Sequence, residues 1–100
     1  MAEYVATYWD CKTGQTETLS FNTRAAYTGS RYDNMIIISG WDYGNIGRKD
    51  GGCFKPGSLF LCHSPTPEIF LVTGEGFMLE NENSVMNTYV PVMKLWLGGV

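Results

Sequence analysis

Short apolar runs alternate with polar punctuation along this chain, and no apolar period of 3.6 residues lasts long enough for a helix of three turns. Tyr4 to Trp9 and Thr16 to Phe21 are rich in aromatic and β-branched residues, the composition of half-buried strands. Between them lies "DCKTGQ", where Gly14 is available for a positive φ, so the two runs read as a hairpin. Residues 22–34, "NTRAAYTGSRYDN", offer Asn22 or Thr23 as a cap and Gly29 as a stop for one or two helical turns. Met35 to Ser39 contains three consecutive isoleucines. Apolar on both faces, this run predicts a central strand covered on both sides. "GSLFLCH" (57–63) and "EIFLVTG" (68–74) predict two more strands, kept from extending by the prolines of "SPTP". The turn "GEG" leads into 77–83, a short strand or a helical turn. "TYVPVMKLWLGG" predicts a last strand, which Pro91 places at an edge or a bulge.

Roughly six or seven short strands with at most one short helix make the fold mainly β, a small β-sandwich or partly open barrel. The alternative is an α+β arrangement with segment 22–34 packed on the sheet. At 100 residues the chain suits one domain, residues 1–100, with a hydrophobic core that needs no staples.

Charge narrows the functional classes. Asp, Glu, Lys and Arg make up 17% of the chain, against about 25% in typical soluble domains. A surface so sparsely charged resists association weakly, which favours a protein partner or self-association. The net charge of -3 argues against a duplex nucleic-acid binder, whose affinity comes largely from neutralising phosphates. The positive charge is also uneven: no Lys or Arg occurs from Pro56 to Met93, where Glu68, Glu75, Glu80 and Glu82 stand alone. Cys11, Cys53 and Cys62 cannot all pair within one chain, and the N-terminus lacks a basic region followed by an apolar run. Reduced thiols, no signal peptide and a cytoplasmic location are the expectation. No apolar run approaches the length of a membrane span, so no membrane partner is expected.

"GWDYGNIGRKDGG" (40–52) packs five glycines, two aromatics and two basic residues into one stretch. It lacks the spacing and the Ser/Thr of a phosphate-binding P-loop, and no helix follows. Its G-x-x-G is flanked by a strand signal and a turn signal rather than by the two helices of a KH domain. Trp41, Tyr43 and Phe54 interleave with Arg48, Lys49 and Lys55, an arrangement suited to stacking beside a basic groove. These six residues are the candidate binding site, for a partner or for a small anionic ligand with an aromatic ring. Single-stranded nucleic acid is disfavoured, because Asp42 and Asp50 cancel part of the local charge. Long loops in compact domains usually carry function, so 41–55 reads as a contact loop.

Catalytic and metal readings find less support. His63 directly follows Cys62, and adjacent strand residues point to opposite faces, so the two do not form a nucleophile–base pair. A zinc site from Cys11, Cys53, Cys62 and His63 would lack any C-x₂₋₄-C pair. Glu80 and Glu82 share a strand face but have no nucleophile or oxyanion donor beside them. The chain is therefore read as not an enzyme, with no cofactor and no metal.

"TGQTETL" in the hairpin, with "LWLGGV" at the end, resembles the ubiquitin-like β-grasp modifiers. That resemblance implies a long helix after the hairpin, and a slim tail ending in Gly98 and Gly99 after removal of Val100. The leading expectation is a non-catalytic interaction module, an assembly subunit such as a small virion or complex component, or a small inhibitor of another macromolecule. A ligand- or nucleotide-binding protein using 41–55 and a ubiquitin-like modifier are the alternatives.

Overall fold

The structure, a computed structural model, describes residues 4–21, 34–38, 54–63, 67–80, 82, 84 and 86–95. Within them run seven strands: β1 (Tyr4–Asp10), β2 (Gln15–Phe21), β3 (Met35–Ile38), β4 (Leu59–Cys62), β5 (Glu68–Val72), β6 (Phe77–Glu80) and β7 (Met86–Leu95). All pairings are antiparallel. They form one sheet in the order β2-β1-β4-β5-β7-β3, with β6 also on β7. Mainly β is thus the fold class, and the described residues contain no helix. The expected helical turns at 22–34 lie outside the described residues, apart from Asn34.

The first hairpin forms where local chemistry demands it. Gly14 donates its N–H to the Asp10 carbonyl at 2.8 Å and sits at φ +69°, a conformation that glycine adopts without a Cβ penalty. The Asp10 carboxylate accepts from the Lys12 N–H and the Thr13 hydroxyl from the Gln15 N–H, the local bonds that favour these residues in turns. The second turn, Lys55-Pro56-Gly57-Ser58, is closed by the Ser58 N–H donating to the Lys55 carbonyl. With Pro at its second position and Gly57 at φ +90° at its third, it is a type II turn.

Among the described strands the isoleucine run is not the central one that its composition predicts. β3 stands at the end of the strand order and pairs with β7 alone among the described strands. Ile36 and Ile38 are buried while Met35 and Ile37 are half-buried. β7 lies next to the end of the order, flanked by β5 and β6 on one side and β3 on the other. Its proline is accommodated at a bulge, as Pro91 requires. Val72 pairs with Val92 and Phe77 with Tyr89, so Thr73 to Gly76 face only Val90 and Pro91. Across the bulge the Thr73 N–H still reaches the Pro91 carbonyl at 2.9 Å.

One face of this sheet is the core. Ala6, Tyr8, Leu19, Ile36, Ile38, Phe60, Cys62, Phe70, Val72, Val90 and Val92 line it at 0–3% exposure, and Phe54 packs onto them. Thr88 shares that face. Its side chain is fully buried, and among the described residues its hydroxyl has no hydrogen-bond partner. A buried polar group left unmatched is costly, whereas an apolar group of the same shape is not. Thr88→Val is therefore expected to raise stability by about 1 kcal/mol, read as a higher midpoint in urea at an unchanged slope.

Candidate functional site

The strand registers place a second set of apolar side chains on the opposite, outer face. Trp9 pairs with Leu59, Leu59 with Leu71, and Leu71 with Met93. These four residues form a row straight across β1, β4, β5 and β7. Thr7, Leu61, Ile69 and Leu95 make the adjacent row by the same pairings. Toward the other end, Phe77 and Ile37 flank Tyr89, and the Phe77 and Tyr89 rings stack with centroids 5.4 Å apart and planes 10° from parallel. Cross-strand apolar and aromatic pairs of this kind stabilise a sheet. They also leave it greasy on the outside.

Exposure separates the two faces. Trp9 keeps 36% of its surface in solvent, Phe77 40%, Met93 50% and Leu79 53%, while Leu59, Leu61, Ile69 and Leu71 are half-buried among them. The charged strand residues that the structure describes, Asp10, Glu17, Glu68, Glu80 and Lys94, all have the parity of the core face and sit at or near strand ends. None of the outward-facing described strand residues is Asp, Glu, Lys or Arg. At the rim of the outer face, His63 Nε2 and the Thr7 hydroxyl share a hydrogen bond.

The sequence-predicted site fares unevenly. Trp41, Tyr43, Arg48 and Lys49 lie outside the described residues, as do Cys53 and the Gly98–Gly99 pair. Phe54 is no stacking platform, because its ring is fully buried. It meets the Tyr8 ring edge-on at 4.7 Å and lies 6.2 Å from Phe60. Its carbonyl accepts from the Gly76 N–H at 2.9 Å. The next residue is held as firmly: the Lys55 N–H donates to the Tyr8 hydroxyl at 2.7 Å. The root of the glycine-rich stretch is therefore an anchor in the core.

The Lys55 ammonium is engaged by Glu75 at 2.9 Å. That hydrogen bond and the positive charge of Lys55 hold the Glu75 carboxyl below its ordinary range. A depressed carboxylate stabilises the fold above its unfolded titration range, and the contribution fades as pH falls through the folded value. Lys55→Met is expected to move the Glu75 midpoint upward, measurable by carboxyl chemical shifts during an acid titration. An unmoved midpoint would mean that the pair does not form in solution.

Cys62 and His63 point to opposite faces, one buried in the core and the other exposed. Cys11 lies at the first hairpin, its Sγ donating to the Pro56 carbonyl at 3.2 Å and its N–H to the Ser58 hydroxyl at 3.0 Å. Among the described residues no group of three or more His, Cys, Asp or Glu converges to hold a metal, and no helix is long and apolar enough to cross a membrane.

Trp9, Phe77, Leu79 and Met93 were missed as surface residues because each sits in a run that reads as core. A usable signal was present, namely that charge in the strands falls on one parity only. Compared with protein-family models, curated proteins and solved structures, the chain matches none.

Proposed function

We propose that this chain is a non-catalytic interaction module, an assembly subunit that works by placing the outer face of its sheet against a protein partner. The observation that carries the reading is the outer face, free of Asp, Glu, Lys and Arg among the described strand residues, on which Trp9, Phe77, Leu79 and Met93 remain 36–53% exposed. Contiguous apolar patches of more than a few hundred Å² are uncommon on monomers and usually mark interaction sites. Aromatic residues and Met are also the types enriched in interface cores, where charged residues are depleted. The placement of Cys62 and His63 on opposite faces supports the non-catalytic part.

Native mass spectrometry of untagged protein from its producing cells tests this reading. The expected spectrum shows the 11.2 kDa chain within a larger protein complex, and Met93→Glu releases it. A bare chain, or one carrying only a small molecule, would overturn the reading. A small-molecule adduct would direct attention to 41–55 instead.

A further inference from the structure

We infer that the occupant of the outer face is a second copy of this chain, packed sheet against sheet. The inference rests on the contact-module reading above and deepens it by naming the partner. Three observations converge on a second copy.

The first is charge. Each copy carries a net charge of -3, which opposes self-association wherever like charges are apposed. The outer face holds none of the described strand charges, so two copies meeting there keep their charges apart. A partner recognised through charge would find no complement on this surface. A lipid surface suits it poorly, because interfacial binding is usually supported by Lys and Arg beside the apolar residues. No Lys or Arg occurs from Pro56 to Met93, the stretch that supplies β4, β5, β6 and most of β7.

The second is area. For large side chains of about 150–250 Å² each, the exposures of Trp9, Phe77, Leu79 and Met93 leave on the order of 350 Å² between them. The half-buried neighbours in the rows bring the face toward the scale of about 800 Å² per partner that a standard interface buries. The third is shape. The rows are carried on a regular antiparallel sheet, and face-to-face packing of two such sheets about 10 Å apart is a common way to bury apolar sheet faces. A two-fold axis lets one patch serve both copies.

Sedimentation equilibrium of the full chain tests the inference, with three variants. The wild type is expected at an integer multiple of 11.2 kDa, and at 1 M salt no more weakly associated than at about 0.1 M, because the contact is apolar. Met93→Glu places a charge in one of the two four-residue rows and is expected to weaken association by about 100-fold with an unchanged circular dichroism spectrum. Lys12→Glu, in the exposed hairpin turn, should leave it intact. Should Met93→Glu fail to fold, Leu79→Asp at the most exposed of the four positions serves in its place.

A wild type that stays monomeric to roughly 1 mM (a binding free energy weaker than about -4 kcal/mol) overturns the second copy. So does an oligomer indifferent to Met93→Glu and Leu79→Asp alike. If that monomer is nevertheless recovered from cells in a complex that Met93→Glu dissolves, the contact-module reading survives with a different partner. If no such complex exists, both fall. Flotation of the wild type, but not Met93→Glu, with phosphatidylcholine vesicles would replace the second copy by a lipid surface.

Discussion

Phe54→Ala is expected to cost about 3–5 kcal/mol of folding stability, the largest loss of the substitutions considered. Phe54 lies outside any strand, so its sequence position gives it the appearance of a loop residue. Its environment is that of a core residue: fully buried, edge-on to Tyr8 and tilted against Phe60. The space left by the ring is walled by Tyr8 of β1 and Phe60 of β4, strands paired on both sides, and by Gly76. A Cβ on Gly76 would already lie 3.1 Å from the Phe54 nitrogen, so that wall stands close to the Phe54 backbone, and the Gly76 N–H is tied to the Phe54 carbonyl. A cavity that cannot collapse is at the upper end of the cost range. For a domain of about 100 residues each kcal/mol is worth about 4–8 °C, so the thermal midpoint should fall by on the order of 15–30 °C. Phe54→Leu, which keeps most of the volume, should cost less than about 1.5–2 kcal/mol. A shift of only a few degrees for Phe54→Ala would mean that the ring is solvent-facing, as the reading of 41–55 as a stacking loop had it.

Gly57→Ala is expected to be the next most damaging change, at roughly 2–4 kcal/mol, because two separate costs combine. The backbone sits at φ +90°, where an L side chain is strained by about 1–2 kcal/mol. The new Cβ would also lie 3.1 Å from Cys11 Sγ, and that sulfur is held in place by its bond to the Pro56 carbonyl. Gly14 provides the control. It shares a positive φ of +69°, but a Cβ there would meet nothing within 4 Å. Gly14→Ala should therefore cost the backbone part alone, about 1 kcal/mol. In a double-mutant cycle, Cys11→Ala should recover the steric part in Gly57→Ala and leave the strain, a coupling of about 1 kcal/mol or more. Additivity of the two changes would show that the sulfur yields without cost. Urea denaturation of the four chains supplies the measurement.

The elements that were legible in the sequence are the ones whose causes are local. "DCKTGQ" predicts a hairpin because Gly14 and Asp10 specify its turn within a few residues. "SLFLC" and "EIFLV" predict strands because proline and glycine bound them. Strand order was not legible, since it depends on pairings between distant segments such as β1 with β4 and β3 with β7. The isoleucines of β3 show the difference. Three in a row predict apolar surroundings on both faces, whereas Met35 and Ile37 are only half-buried, and they say nothing about how many strands lie beside them. Pro91 predicts an edge or a bulge, and β7 is paired on both sides. What the sequence could not reveal is that the bulge sits inside the sheet, opposite Gly74 and Gly76.

For the candidate site the difficulty was parity. In "FLVTG", "LFLC" and "VPVMKL" both alternate sets of positions are apolar, so composition cannot say which set the chain covers for itself. The registers settle which side chains share a face. The burial then separates Phe60, Phe70, Val72 and Val92 from Leu59, Leu71 and Met93. The aromatic and basic residues of 41–55 carry the stronger sequence signal, because their glycines mark a long loop. Of those six residues the two described ones face inward or are ion-paired. Phe54 packs in the core, and Lys55 is held by Tyr8 and Glu75.

The inferred second copy would cover the outer face when the protein is in its working state. Hydroxyl-radical footprinting of the native material tests it most directly, comparing Met93 and Trp9 at high concentration with the same residues after dilution. Both side chains oxidise readily and both are substantially exposed in the single chain. The account predicts that Met93 and Trp9 are protected several-fold in the concentrated sample and become reactive on dilution, while Tyr8, in the core, reacts slowly throughout. Equal oxidation of Met93 and Trp9 at every concentration would contradict it.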